Sequence, residues 1–177
     1  MSQAATVRGI DLADIGFDSF CDIMGSFATG VSVLTSLDRA GPHGMTCSAV
    51  CSVSAAPPLL LSCLRTPSST LDAIRACGRF LVNVLAADGR ELSAVFASRS
   101  REKFAGVAWQ PSERLGMPLL EPTVAHAECT VHDLVPAGDH VIVLGRIVGG
   151  RAMLDRSPLG YWRGGYVGVV QGSQARP

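Results

Sequence analysis

The sequence predicts a mainly β protein with short helices, built as an antiparallel barrel. At least six segments with β-strand character can be recognised along the 177 residues, against two or three short helices. Strand segments often follow one another without an intervening helix, which is typical of antiparallel sheets and not of doubly wound parallel ones. The length fits one domain, predicted at residues 17–170 between an N-terminal extension (1–16) and a C-terminal tail (171–177).

Each predicted element follows from a local pattern. Residues 27–36 are rich in β-branched side chains and residues 45–54 alternate between apolar and polar positions, so both segments predict strands. Ser68 or Ser69 can cap a helix that Gly78 ends. The predicted helices cover residues 17–24, 69–77 and 88–98, and a turn is predicted at 38–44. The predicted strands cover residues 27–36, 45–54, 59–64, 80–86, 124–134 and 140–148, the last two as a hairpin.

Charge is scarce and balanced in this chain. Charged residues make up 17% of it, against roughly 25% in typical soluble domains, and 15 basic residues balance 15 acidic ones. The zero net charge predicts that nucleic acid is not a partner. Because so few charges must cover a whole surface, we expect some apolar surface to be buried in an oligomer or against a ligand.

Targeting and membrane signals are not found in the sequence. The N-terminal residues lack the basic start and apolar stretch of a secretory signal, and no apolar run reaches ~20 residues, so we expect no membrane association. The protein is therefore predicted to be cytoplasmic. Its six cysteines are then expected to stay reduced and to act mainly as small core residues.

Several catalytic motifs are excluded by their absence from the sequence. Lys103 is the only lysine, and it follows Glu102 instead of the glycine that a phosphate-binding P-loop requires. Its charged neighbours also argue against a Schiff-base role. The sequence contains no nucleophile elbow, no zinc-protease helix motif and no glycine fingerprint of the Rossmann fold.

Two cysteine-containing patterns were considered as sites and are interpreted as structural. Cys47 and Cys51 would lie about 13 Å apart on one strand, which is too far for a disulfide. His126, Cys129 and His132 have a spacing that suits zinc, but a strand would direct the cysteine to the opposite face from the two histidines. No metal site is therefore predicted.

Hydroxyl groups and one loop remain as candidate binding features. Thr46 and Ser48 lie on the polar side of a predicted strand whose neighbouring side chains are small. The loop at 65–70 joins a buried strand to a helix start and offers an arginine, hydroxyls and free N–H groups, which suit a phosphate. An ordinary helix cap has the same composition, so both interpretations stay open.

A series of short motifs occurs in an order and spacing typical of one family, over about residues 17–168. On these motifs the chain resembles the short-chain flavin reductases, the reductase components of two-component flavin-dependent monooxygenases. The motifs are Phe27–Val31, Val33–Thr35, His43–Val50, Ser52–Ser54, Pro57–Leu59, Gly78–Phe80, Val82–Leu85, Lys103–Gly106, Glu128–Val131, Gly138–His140 and Tyr161–Tyr166.

The resemblance implies an FMN-binding split β-barrel that forms a homodimer, with the flavin near the subunit interface. Either FAD or FMN could be the flavin, and the resemblance favours FAD. Arg99 and Arg101 are interpreted as a solvated helix end. The residues implied for flavin binding are Met45, Thr46, Cys47, Ser48, Ala49, Val50, Leu64, Arg65, Thr66, Thr70, Leu71, Phe96, Ala97 and Lys103.

The resemblance also implies a site for NADH. His140 is the one residue considered for a catalytic role, by contacting the nucleotide or orienting its carboxamide, and not as an acid–base catalyst. Hydride transfer needs chiefly ring stacking and a short approach. The residues implied for NADH binding are Phe27, His140, Arg163, Gly164 and Tyr166.

The function implied by the resemblance is an NAD(P)H:flavin oxidoreductase that reduces free FAD or FMN and supplies reduced flavin to a partner monooxygenase. NADH is the expected donor. Two alternatives stay open: an FMN-retaining oxidase of the pyridoxamine-phosphate oxidase type, and a non-catalytic flavin-binding module on the same barrel. The Gly138–His140 and Arg163–Tyr166 motifs favour the reductase.

Overall fold

A computed structural model of the chain describes residues 15–170. The predicted tail of residues 171–177 lies outside the described residues, as does the predicted extension apart from its last two positions, Ile15 and Gly16. The described part contains three helices, each close to its predicted position. They are α1 (Phe17–Gly25), α2 (Ser69–Cys77) and α3 (Arg90–Ala97).

Strands make up most of the regular structure, which confirms the mainly β class. Twelve occur in the described residues. They are β1 (Thr29–Gly30), β2 (Ser32–Asp38), β3 (Gly41–Cys47), β4 (Val50–Ala55), β5 (Pro58–Arg65), β6 (Arg79–Leu85), β7 (Trp109–Pro111), β8 (Pro118–Leu120), β9 (Thr123–Ala137), β10 (His140–Ala152), β11 (Leu159–Trp162) and β12 (Gly165–Gly168).

All strand pairings in the named sheets are antiparallel, as predicted. The main sheet has seven strands in the order β3-β2-β6-β9-β10-β5-β4. A three-stranded sheet has the order β1-β11-β12, and β7 pairs with β8 alone. The predicted barrel is confirmed only in part, because β3 and β4 are the two edge strands of the main sheet and do not pair with each other. The sheet is therefore open at this seam.

The main core lies between the seven-stranded sheet and α2. Leu71 and Ile74 of α2 are fully buried against it, together with Leu34, Leu64 and Phe80 from three strands. The sequence prediction for this helix is confirmed at both ends. The N–H of Leu71 donates to the Ser68 hydroxyl (3.3 Å), and Gly78 ends the helix in the left-handed conformation.

The predicted strand at 45–54 is wrong, because the structure divides it between two strands. β3 ends at Cys47 and β4 begins at Val50, so Ser48 and Ala49 lie at the break between the two edges of the sheet. The predicted turn at 38–44 is also too long. Gly41 has a φ of 123°, which permits a tight turn, and β3 therefore begins there.

Four strands were not anticipated by the sequence patterns. β7 and β8 are only three residues each, and β11 and β12 are rich in glycine and aromatic residues, so neither pair shows a clear alternation. Two of these strands contribute to a second core cluster, β8 through Leu120 and β11 through Leu159. Its other buried members are Val31, Val33, Leu85 and Phe96. Within residues 15–170, no helix combines the length and apolar character needed to cross a membrane.

Candidate functional site

A large cavity opens between β3, the start of α2 and the end of α3, with a volume of about 870 Å³. Three segments that are distant in sequence form its walls, because β3 packs between the two helices. The residues that line it are His43, Met45, Thr46, Arg65, Pro67, Ser68, Ser69, Thr70, Phe96, Ala97, Ser98, Arg99, Ser100, Arg101 and Lys103.

The charged side chains around this large cavity are all of basic type. Arg65 lies on one wall, and Arg99, Arg101 and Lys103 lie on the other, while no Asp or Glu is among the lining residues. Lys103 is fixed in place, since its Nζ donates to the carbonyl oxygens of Phe96 (2.8 Å) and Gly44 (3.3 Å). Burial lowers the pKa of Lys103. The cavity is therefore suited to a ligand with several negative charges.

The start of α2 adds backbone donors to the same cavity. Ser68, Ser69 and Thr70 line it at the helix N-terminus, where the first N–H groups have no partner within the helix and the helix dipole favours an anion. The loop before the helix is held by Asp139, whose carbonyl oxygen accepts from the backbone N–H (2.9 Å) and the hydroxyl (3.0 Å) of Thr66. The phosphate-binding interpretation of residues 65–70 gains support from this position.

A small cavity of about 270 Å³ adjoins the large one. The two cavities share Thr46 and Ala97 as lining residues, so they lie side by side. No charged side chain lines the small cavity, which offers hydroxyl groups and aromatic surface instead. Its lining residues are Val31, Thr46, Ser48, Ser93, Ala97, Tyr161 and Tyr166.

Hydrogen bonds to Ser93 join three elements at the small cavity. The Thr46 hydroxyl on β3 donates to the carbonyl oxygen of Ser93 on α3 (2.6 Å). The hydroxyl of Tyr166 on β12 donates to the hydroxyl oxygen of the same serine (2.9 Å). Thr46 and Tyr166 are therefore fixed relative to each other by a residue that is fully buried.

His43 also faces the large cavity and is paired with a carboxylate. Its Nε2 lies 3.0 Å from Oδ1 of Asp38, across the turn that joins β2 and β3. The hydrogen bond with His43 is the main cause that lowers the pKa of Asp38, and the N–H of Ala40 adds to it. Both side chains of the pair are partly exposed.

Comparison with known proteins identifies the family of this chain. Residues 24–169 match the family model described as flavin reductase like domain. The chain belongs to the flavin reductase family. The flavin reductase (NADH) of Kitasatospora aureofaciens is 46% identical over 162 residues, which cover 89% of this chain and 85% of that protein. The flavin reductase (NADPH) of Lentzea aerocolonigenes is 47% identical over 127 residues, which cover 71% of this chain and 74% of that protein.

Other relatives are named as subunits or have solved structures. The reductase subunit HsaB of a flavin-dependent monooxygenase from Mycobacterium tuberculosis is 38% identical over 159 residues, covering 89% of this chain and 84% of that protein. The NADH:FAD oxidoreductase of Streptomyces globisporus, solved in complex with NAD and FAD fragments, superposes with a TM-score of 0.85 at 31% identity. That match covers 93% of this chain and 100% of the other.

The structure of this flavin reductase family member brings many of the predicted site residues together. Among the predicted residues that line a cavity, Tyr166 was assigned to NADH by the resemblance and the others were assigned to flavin. The residues that line the large cavity are Met45, Thr46, Arg65, Thr70, Phe96, Ala97 and Lys103, and those that line the small one are Thr46, Ser48, Ala97 and Tyr166.

Other predicted flavin residues lie beside the site without lining it. Leu64 and Leu71 are fully buried in the main core, so only their backbone atoms can approach a ligand. The Cys47 thiol is also buried, and this burial raises its pKa to about 11. Three further residues do not line either cavity: Ala49, Val50 and Thr66.

The predicted NADH residues are more dispersed. His140 pairs across strands with Arg65 and its Nδ1 lies 2.7 Å from Oδ1 of Asp139, so it stands near the large cavity without lining it. Arg163 and Gly164 form the turn between β11 and β12, where the guanidinium of Arg163 stacks on Trp162. Phe27 is 69% exposed.

Sequence reasoning missed several residues that line the site. Ser93 lies within an ordinary amphipathic helix, so no local pattern singles it out. Arg99 and Arg101 were interpreted as a solvated helix end, yet both line the large cavity. His43 was part of a recognised motif, and its spacing of five residues from Asp38 across a predicted turn could have indicated the pair.

Proposed function

We propose that this protein reduces a flavin at the expense of NADH and supplies the reduced flavin to a separate monooxygenase. The observation that carries the proposal is the adjoining pair of cavities. The large one has basic side chains and a helix N-terminus, which suit the phosphates of a flavin nucleotide. The small one has hydroxyls and aromatic surface, which suit uncharged rings. Relatives named as flavin reductases support the same activity.

When bound, a flavin would supply the acceptor for a hydride, with its two electrons, from a nicotinamide nucleotide, and solvent would supply the proton. What the protein must do is hold the two rings in contact and exclude competing geometries.

The residues that would hold the flavin follow from the lining of the site. Arg65, Lys103 and the first N–H groups of α2 would bind the phosphates, by charge-assisted hydrogen bonds. Thr46 would accept from the polar edge of the ring and Ser48 would accept from it or donate to it, beside the small side chain of Ala97. The backbone of residues 45–50 would complete this contact, as the family resemblance implies.

FAD is the flavin that we propose for the large cavity. Four basic side chains surround it, which exceeds what one phosphate group of FMN needs and suits a pyrophosphate. The solved relative with NAD and FAD fragments supports the same assignment. NADH is the proposed donor, in line with the flavin reductase (NADH) relative, although another relative is named for NADPH.

The NADH site is proposed to lie at the small cavity, with Tyr166 as its central contact. The Tyr166 ring forms one wall of this cavity and is half-buried. His140 stands near the large cavity, beside Arg65, and its contact with NADH remains a prediction. For Phe27, Arg163 and Gly164, a role in NADH binding also remains a prediction.

A homodimer is proposed from the apolar face of α1. None of the residues of this helix is buried in the monomer, although four of its nine are large and apolar. These exposed side chains are Phe17, Phe20, Ile23 and Met24, and Phe27 follows them. Covering such a face is favourable by roughly 25 cal/mol per Å². The proposed compartment is the cytoplasm, where NADH and the acceptor enzymes of reduced flavin occur together.

The experiment that tests the proposal is NADH oxidation with added FAD or FMN. We expect the absorbance of NADH at about 340 nm to fall only when flavin is present, with FAD used more efficiently than FMN. Gel filtration is expected to leave the protein free of most flavin, since a supplier must release its product. A protein that retains stoichiometric flavin and delivers none to an acceptor would favour the oxidase or the non-catalytic module instead.

A further inference from the structure

We propose that Ser93 is a positioning residue for hydride transfer, because its carbonyl oxygen holds Thr46 and its hydroxyl holds Tyr166 in the lining of the small cavity. The inference rests on the proposed function, since it concerns the place where the flavin and nicotinamide rings would meet. Ser93 belongs to no motif of the sequence. Its role follows only from its contacts.

Ser93 joins the three elements through two different groups. Its carbonyl oxygen accepts from Thr46 on β3 (2.6 Å), and its hydroxyl oxygen accepts from Tyr166 on β12 (2.9 Å). Thr46 and Tyr166 are 47 and 73 positions away from Ser93 in the sequence, so both contacts are tertiary and do not belong to a single helix or hairpin. Because Ser93 is fully buried in α3, it provides a rigid reference for both partners.

The bond to Ser93 determines how Thr46 can interact with a ligand. A threonine hydroxyl has one proton to donate and two lone pairs to accept with. Since the proton of Thr46 is directed to the Ser93 carbonyl, its oxygen faces the cavity as an acceptor. The Thr46 oxygen can therefore accept a hydrogen bond from an N–H group, and both a flavin ring and a nicotinamide carboxamide carry such groups.

The ring of Tyr166 is held from three directions. Its hydroxyl is bound to Ser93, the guanidinium of Arg90 lies 5.4 Å from its ring centre, and Tyr161 packs edge-on at 5.6 Å. Ring orientation is therefore determined before a substrate enters. A fixed aromatic ring in the same cavity as Thr46 limits the positions that a stacked pair of rings can take.

Hydride transfer is sensitive to such positioning. The reacting atoms must approach to about 3–3.5 Å, and an error of about 1 Å can slow a reaction by about a hundredfold. Phosphate binding in the large cavity depends on other residues, so loss of the Ser93 hydroxyl is expected to affect catalysis more than flavin affinity.

The test compares Ser93→Ala, Tyr166→Phe and the double variant by their kcat, their FAD Kd and the isotope effect with NADH deuterated at the nicotinamide C4. Each single change is expected to lower kcat about five- to tenfold, and the double change no further, because both remove one interaction. The isotope effect is expected to rise, and the Kd for FAD to stay within about twofold. Ser93→Thr retains a hydroxyl and is expected to recover most of kcat.

Ser36→Ala is the matched control, since Ser36 is also fully buried, donates to the Arg79 carbonyl and lines neither cavity. It is expected to keep the kcat and isotope effect of the unmodified protein. If Ser93→Ala fails to fold, Tyr166→Phe decides alone. An unchanged kcat and isotope effect in Tyr166→Phe, or losses that multiply in the double variant, would overturn the role of Ser93. The proposed function fails separately, if the unmodified protein shows no flavin-dependent NADH oxidation.

Discussion

Gly44 and Phe96 approach so closely that no side chain can be placed between them. A Cβ at Gly44 would lie 2.6 Å from Cε1 of Phe96, whose ring is fully buried. The two residues also present their carbonyl oxygens to the same ammonium group, that of Lys103. This contact fixes β3 against α3 and sets the position of one wall of the large cavity.

Gly44→Ala is therefore expected to lower the free energy of unfolding by about 1–3 kcal/mol, since the Phe96 ring has no space to move into. Urea unfolding measures this change, and FAD titration is expected to show weaker binding. The matched control is Gly168→Ala, because a Cβ at Gly168 meets no atom within 4 Å. Equal stability of the two variants would show that α3 can shift to accommodate the new methyl group.

Lys103 is expected to bind flavin phosphate, and its charge makes this binding dependent on pH. Lys103→Gln should weaken FAD binding by about tenfold or more, because a charge-assisted hydrogen bond contributes about 1.5–3 kcal/mol. Burial lowers the pKa of Lys103 from its ordinary value of 10.5, so the side chain loses its charge at a lower pH than an exposed lysine does. FAD affinity is therefore expected to fall as the pH rises toward 10.5.

Fluorescence titration of FAD at several basic pH values measures this fall, with Lys103→Arg as its control. Arginine keeps its charge throughout this range, so the variant should retain its own affinity as the pH rises. If the unmodified protein and Lys103→Arg lose FAD affinity in parallel, another group is the cause of the pH effect and Lys103 is not.

The sequence predicted the local features of this fold well. Helix α2 was predicted with Ser68 or Ser69 as its cap and Gly78 as its end, and the structure has Ser68 as the cap, because both ends carry local signals. The hairpin of β9 and β10 was predicted from its strand character and the turn around Gly138. The residues at which strands begin and end were harder to predict. The alternation at 45–54 continues across the break at Ser48 and Ala49, so it does not show where β3 ends.

The candidate site was predictable only where one segment supplies several of its residues. Met45, Thr46 and the 65–70 loop were singled out because each lies in a recognisable motif. Ser93 and Arg99 act through tertiary placement: α3 packs on β3, and only this packing brings them to the cavities. The apolar face of an eight-residue helix predicts which side of the helix is buried. It does not predict which polar residue of the helix will contact a strand that is distant in sequence.

Cysteine reactivity is expected to follow burial, and it tests the placement of Cys47 in the core. Burial raises the pKa of Cys47 to about 11 and that of Cys129 to about 12, whereas Cys51 is exposed. At about pH 8, roughly one in a thousand Cys47 side chains would be thiolate, which is the reactive form. Iodoacetamide labelling followed by peptide mass spectrometry should therefore modify Cys51 long before Cys47 or Cys129.

Addition of FAD should leave the labelling of Cys47 unchanged, because its thiol is directed to the carbonyl oxygens of Ala49 and Cys63 and not into a cavity. Rapid labelling of Cys47 that FAD suppresses would instead place this thiol on the surface that contacts the flavin.

Glu128 is expected to stabilise the fold in its ionised form. The carboxylate is almost fully buried and accepts from the Ser112 hydroxyl (2.6 Å) and from the N–H groups of Leu115 (2.7 Å) and Arg114 (3.1 Å). Burial alone would raise its pKa, but the three donors outweigh burial and lower the pKa below 4.5. A glutamine would turn an N–H group toward these donors, so Glu128→Gln should lower the free energy of unfolding by about 1–3 kcal/mol.

The pH dependence of stability distinguishes the charge of Glu128 from its shape. Because the folded pKa lies below the unfolded one, the stabilisation is complete above 4.5 and is lost as the pH falls through the folded value. Denaturant unfolding from about pH 7 to 3 should thus show a steeper loss in the unmodified protein than in Glu128→Gln. Glu121→Gln is the control, since Glu121 pairs with Arg156 at an exposed position, where an ion pair is screened by solvent and contributes little to stability. Parallel pH profiles for the unmodified protein and Glu128→Gln would contradict a stabilising carboxylate, because only an ionised group can be protonated as the pH falls.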